Sequence, residues 1–123
     1  MILADTSVWV DHFRRGDTSM RGALEANEIC IHPMVIGELA CGNLHSRAIL
    51  SQLQRLQSAV VATNEEALVM IEQFGLMGRG IGFIDVHLLA SAKLTNAFVW
   101  TRDKRLATLA TEFGLSALIR GLH

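Results

Sequence analysis

Tyrosine is absent from this 123-residue chain, proline occurs once (Pro33) and cysteine twice (Cys30 and Cys41). Two cysteines that form no CxxC pair give neither a disulfide framework nor a zinc knuckle. A fold built from this sequence has to be held by its own core. Charge is also thin, with 19% of residues charged and a formal net charge of −1. No uninterrupted apolar run approaches the ~18 residues that read as a membrane span, and no charged-then-apolar leader opens the chain. These absences lead us to expect a soluble, cytoplasmic protein of a reducing compartment, with no membrane partner. Aromatic residues make up only 6% of the chain, so a platform for stacking nucleobases is not evident.

What the sequence has in quantity is apolar surface: 50% of residues are hydrophobic and the mean hydropathy is +0.33. That excludes a disordered or collagen-like chain. At 13.5 kDa, size scaling gives roughly 6,500 Å² of surface folded against roughly 20,000 Å² unfolded, enough burial for one core. Without a linker, repeat or low-complexity tract, residues 1–123 are expected to form a single domain. So small a body has little interior for this much apolar surface, and part of it is expected to be covered by a partner or a second copy. The candidate patches are the Ile49, Leu50, Leu53, Leu56 stripe and the Leu68, Met70, Met77 side of the following helix, each of which is also explained as core.

Short apolar runs alternate with helical patterns. Strands are predicted at Met1–Ala4, Ile29–Ile31, Ala59–Val61 and Ala97–Trp100, with a weaker fifth at Ser116–Ile119. Runs that are apolar on consecutive residues suit a parallel sheet covered on both faces. Helices are predicted at 7–14, at 33–41 with Pro33 in the first turn and Gly42 just past the end, at 47–56, at 64–77 with Asn64 as N-cap, at 84–94 and at 104–113. The 78–82 stretch, with glycine at 78, 80 and 82, breaks the fourth of these into a flexible loop. Such alternation predicts a three-layer α/β/α sandwich around a mainly parallel sheet of four to five strands. Chemistry in such a sheet belongs beyond the carboxyl ends of its strands.

Four acids stand where charge is not expected. Asp5 follows the first strand, and Asp103 lies just past the fourth, with Thr101 between it and Trp100. Glu38 interrupts the apolar segment VIGELACG. Asp85 opens a helix after the glycine-rich loop, sharing a stripe with Leu88, Leu89 and Ala92. Plain N-capping also explains Asp5, Asp85 and Asp103 one at a time, and an arginine partner explains Glu38. Taken together, however, the predicted topology gathers all four at one edge of the sheet. Clustered carboxylates stay ionised only if cations intervene. An all-oxygen donor set without a suitable Cys/His group describes Mg²⁺ or Mn²⁺. The five histidines (12, 32, 45, 87 and 123) are scattered and read as surface or core-edge residues, and no nucleophile–base pair stands out.

The segments LADTSVW, VIGELACG, GFIDVHLLASA and WTRDKRLA, in this order and spacing, resemble the PIN-domain family, specifically its VapC-type toxin ribonucleases. The resemblance spans essentially the whole chain. It implies that Asp5, Glu38, Asp85 and Asp103 form a metal-binding quartet, with Thr6 or Thr101 supplying a nearby hydroxyl. It further implies an endoribonuclease acting on RNA, a homodimer, and a cognate VapB-type antitoxin lying across a hydrophobic groove to block the acidic site. A divalent ion in such a site would polarise a scissile phosphate and acidify a water.

With the four acids set aside, eight acidic residues remain against eleven basic ones. Arg79, Arg102 and Lys104 bracket the acidic motifs and are candidates for contacting an RNA backbone, although each is also explained as solubilising surface. Two other functions stay open on the residues alone: a non-catalytic interaction module whose acids merely cap helices, and a nuclease of the same fold acting on DNA. A haloacid-dehalogenase-like phosphatase fits poorly, because no acid follows two residues after Asp5.

Overall fold

In a computed structural model that describes all residues from 1 to 123, four parallel strands form the central sheet in the order β3-β2-β1-β4. They are β1 (Ile2–Ala4), β2 (Ile29–Ile31), β3 (Gln57–Ser58) and β4 (Phe98–Trp100). In register, Leu3 lies beside Cys30 on one side and Val99 on the other. Seven α-helices connect and flank the strands: α1 (Thr6–Arg15), α2 (Thr18–Glu25), α3 (Pro33–Cys41), α4 (Ala48–Leu53), α5 (Asn64–Phe74), α6 (Phe83–Thr95) and α7 (Lys104–Glu112). From β1 to β2 to β3 the chain steps one way across the sheet; the long connection to β4 then reverses direction. Right-handed crossovers therefore place α1–α4 on one face and α5–α7 on the other. The predicted α/β/α sandwich is present, and its switch point lies between β1 and β4.

β1 and β2 are buried along their whole length, as strands covered on both faces must be. They anchor a core cluster of 31 buried apolar residues that includes Trp9, Leu39, Leu89, Trp100 and Leu106. The total exposed surface is 6789 Å², close to the value size scaling gives. Ile49 and Leu53 are core, whereas Leu68 and Met77 are exposed.

Several elements depart from the sequence-based expectation. The third strand is Gln57–Ser58 rather than 59–61: the Ala59 N–H closes the pairing on the Ile31 carbonyl at 2.9 Å, and Val60 and Val61 emerge exposed. A short polar strand suits a sheet edge, where an apolar one would invite pairing with another chain. Instead of a fifth strand, a single parallel bridge joins Ser116 to Val99. Ser116 then accepts the Leu118 N–H and turns the chain into a 3₁₀ helix over Ala117–Arg120. α2, which was not predicted, starts at Asp17, whose carboxylate accepts the Met20 N–H. α5 is capped by Thr63 rather than Asn64, in a reciprocal pair with Glu66. It ends at Phe74, where Gly75 takes a left-handed conformation.

α3 carries one of the four acids, and an unusual cap fixes its start. His32 is fully buried; its Nδ1 accepts the Met34 N–H at 3.0 Å, and its Nε2 lies 2.9 Å from Ser91 Oγ. Because Nδ1 is the acceptor, the proton of the neutral ring sits on Nε2 and donates to Ser91. Ser91 Oγ also accepts the Ala62 N–H at 3.0 Å. One imidazole thus ties the β2–α3 junction to α6 and to the segment after β3.

Candidate active site

The carboxyl ends of β1 and β4 deliver Asp5 and Thr101 side by side. Asp5 is buried and caps α1: Oδ1 accepts the Ser7 and Val8 N–H groups at 3.0 and 3.3 Å, and the Ser7 hydroxyl at 2.5 Å. The Thr101 hydroxyl donates to Oδ2. Thr101 Oγ1 in turn accepts the Asp103 N–H at 3.0 Å, and Ser7 Oγ accepts the Arg102 N–H at 2.9 Å. Two hydroxyls therefore lock the first acid to the loop that carries the last. Ser7 had no role in the sequence reading; its signal is the ordinary one of a residue two past an N-cap, and only the fold supplies its second partner.

The other acids gather around this pair. Asp103 caps α7, with Oδ1 accepting the Arg105 and Leu106 N–H groups at 2.9 and 3.1 Å. Glu38, exposed on α3, accepts the Thr6 hydroxyl at 2.7 Å. Asp85 is not an N-cap: it stands inside the first turn of α6 and reaches back to the Gly82 N–H at 3.4 Å. Its carboxyl is pushed above the usual range, mainly by burial and then by the charges of Asp103, Asp5 and Glu38. All four predicted acids thus share one electrostatic neighbourhood. Burial also raises Asp5, against the pull of its hydrogen bonds to Ser7, Thr101 and Val8.

N-capping and clustering are compatible here, because capping leaves oxygens over. Asp103 Oδ2, Glu38 Oε2 and Asp85 Oδ1 take no hydrogen bond, and Asp5 Oδ2 takes only one. An ionised carboxylate offers about four acceptor positions, so each acid keeps a free direction. In kind, the donor set fits a hard divalent cation, being all carboxylate oxygen, with Asp5 raised by burial and Asp85 by burial and the neighbouring carboxylates. No three carboxylate, imidazole or thiol groups stand close enough together to ligate one ion as they are placed. The cluster is a loose one.

The basic candidates divide. Arg102 is bound by Asp17 at 2.7 Å and Asp11 at 3.4 Å and lies over the Trp100 ring. Arg79 pairs with Glu112 at 2.9 Å. Lys104 is exposed and makes no ion pair. The glycine-rich loop is tied to α7 twice, by Arg79 and by the Arg105 guanidinium, which donates to the Gly80 carbonyl at 3.2 Å. Gly80 has φ +78°, a left-handed conformation that strains any side chain, so this position favours glycine. Among the histidines, His32 and His87 are buried structural residues. His87 bonds Asn64 at 2.8 Å and packs edge-on against Phe83, on a face of α6 away from Asp85's partners.

A groove of about 420 Å³ runs past Glu38 between α1 and α3, walled by Thr6, Phe13, Leu39 and Leu44. A second, of about 330 Å³, lies on the opposite layer between α5 and α6, where Val69 and Leu94 are exposed. No helix is long and apolar enough to cross a membrane.

The PIN domain model matches residues 2–112 of this chain. The chain is also similar to Ribonuclease VapC32 of Mycobacterium tuberculosis, in strain CDC 1551 / Oshkosh and in strain ATCC 25618 / H37Rv. In each case 42% of residues are identical over 118 positions, covering 94% of this chain and 95% of that protein. A match of that extent shows that the chain belongs to the PIN-domain family, in its VapC-type branch.

Proposed function

We propose that this chain is a Mg²⁺- or Mn²⁺-dependent endoribonuclease, the toxin of a type II toxin–antitoxin pair, with residues 1–123 forming one nuclease domain. The observation that carries the reading is geometric: the Thr101 hydroxyl donates to Asp5 and accepts the Asp103 N–H, so the first and last acids meet where β1 and β4 end, and Thr6, next to Asp5, holds Glu38. The similarity to a protein named as a ribonuclease supports RNA as the substrate.

In this reading Asp5, Asp85 and Asp103 hold the cation, with Glu38 beside them. When bound, the ion supplies Lewis-acid polarisation of the scissile phosphate and acidification of water. The chain's own contribution is position. Ser7 and Thr101 fix Asp5 so that it needs no reorganisation, and Thr6 turns Glu38 toward the same edge. Glu38 keeps a free oxygen that can take a proton from water, and Lys104 offers a backbone phosphate an uncommitted ammonium. Arg102 and Arg79, already paired with acids, contribute less charge to RNA than their number suggests.

The two grooves support the proposed partners. The one beside Glu38 suits a VapB-type antitoxin, whose seat there would cover the acids. The exposed α5–α6 face, with Leu68, Val69 and Leu94, suits a second copy, giving a homodimer.

Purified protein incubated with RNA and DNA in parallel, in Mg²⁺ or Mn²⁺ and with EDTA, tests the reading. Cleavage of RNA alone that EDTA abolishes is the expected result. Cleavage indifferent to chelation removes the metal role, DNA cleavage reassigns the substrate, and no cleavage in either metal leaves an interaction module.

A further inference from the structure

Beyond the acid edge, on the β4–α7 side, lies a pocket of about 410 Å³. Its size falls within the ~300–1,000 Å³ typical of ligand sites. Thr101, Arg102, Lys104 and Ser116 line it together with Ala107, Leu118 and His123. Thr101 belongs to both places, lining the pocket while its hydroxyl bonds Asp5. The pocket therefore begins where the acid cluster ends.

Its chemistry is specific. Lys104 is an uncommitted cation, whereas the neighbouring Arg102 is engaged by two carboxylates. Ser116 is buried and lines the pocket; its oxygen accepts the Leu118 N–H at 3.1 Å, and its hydroxyl proton is not used by any other bond. Leu118, an apolar side chain that lines the pocket, is 47% exposed. A cation, a hydroxyl donor and an apolar wall, within reach of a phosphodiester-cleaving site, match the parts of one nucleotide: phosphate, acceptor edge and base face. RNA is read by sequence mainly where bases are unstacked. In a chain without tyrosine, a pocket can do what a stacking platform does elsewhere.

We propose that this pocket receives a single unstacked nucleotide of the RNA, adjacent to the scissile phosphate. Lys104 meets the backbone phosphate and the Ser116 hydroxyl meets an acceptor on the base or ribose. The proposal rests on the ribonuclease reading and makes this pocket the chain's determinant of where RNA is cut.

Two measurements test it. In an Asp5→Asn background with Mg²⁺, binding of a labelled single-stranded RNA is titrated across salt concentrations. Filling the pocket with Ala107→Phe, at a residue of α7 that lines it, is expected to weaken binding about tenfold, the scale of one lost base contact. Lys104→Ala is expected to reduce the salt slope by about 0.7, the value of one phosphate contact on a single strand. With Asp5 intact, cleavage positions on a random-sequence RNA are mapped, and the filled variant is expected to shift them. Leu118→Trp fills the pocket from the other wall and carries both measurements should Ala107→Phe not fold. Unchanged affinity, salt slope and cut positions in the folded variants would overturn the proposal. A parent chain that neither binds nor cuts RNA removes the ribonuclease reading, and this proposal with it.

Discussion

Acidification should weaken this fold most through His32, with smaller contributions of the same sign from His12 and Asp17. Burial holds its imidazole neutral down to about pH 4, against an ordinary value of 6.5, with a smaller push from His87. A proton on Nδ1 would remove the acceptor for the Met34 N–H and place a cation at the positive end of α3. The unfolded chain therefore binds this proton more readily than the native one, and stability rises with pH between the two values. The contribution is complete above about pH 6.5, lower by about 2 kcal/mol near pH 5, and lower by about 3 kcal/mol below pH 4. Asp5 and Asp85 act with the opposite sign: their carboxyls are raised in the fold, so protonating them favours the native state as pH falls. A comparison with His32→Asn cancels them. Asparagine still caps α3 but does not titrate, and the loss of the Ser91 link costs about 1–3 kcal/mol at neutral pH. Urea unfolding followed by circular dichroism, from about pH 7.5 to 4.5, should show the gap between parent and variant closing as His32 is forced to charge. A gap that stays level from neutral to about pH 5 would refute the reasoning, because His32 would then titrate as if exposed.

Asp85→Asn should abolish RNA cleavage yet leave the fold intact or stabilise it by on the order of 0.5 kcal/mol, since it relieves repulsion at the acid edge; a variant cutting at the parent rate would remove Asp85 from the site. Mg²⁺ or Mn²⁺ at about a hundredfold over its Kd should stabilise the parent by about 2.7 kcal/mol. Thermal melts should show this shift lost in Asp85→Asn, and an equal shift in both would place the ion elsewhere. Ser7→Ala should destabilise by about 1–2 kcal/mol and lower kcat more than KM, with Ser7→Thr recovering part of the rate. Equal kcat in Ser7→Ala and the parent would reduce Ser7 to a plain structural contact.

Local pattern was enough for most of the architecture. Consecutive apolar residues at 2–4, 29–31 and 98–100 encode strands buried on both faces. Pro33, the cap at Asp103 and the spacing of apolar residues behind Thr63 encode helices. Segments whose signal is short were misplaced or missed. α2 offers one turn of apolar contacts, Met20, Ala23 and Leu24, interrupted by Gly22. β3 is polar and recognisable only by its register against Cys30 and Ile31.

For the proposed site, the sequence by itself singled out four carboxylates and their order along the chain, because each sits at a local anomaly: past a strand end, inside an apolar helix, or in the first turn after glycines. Tertiary structure alone decided what surrounds them. Thr101 meets Asp5 across 96 residues and His32 meets Ser91 across 59, pairings set by strand order rather than by neighbouring residues. It also decided that Arg102 is occupied by Asp11 and Asp17 while Lys104 stays free. A side chain's type is written locally, but its partner depends on which elements the sheet brings together.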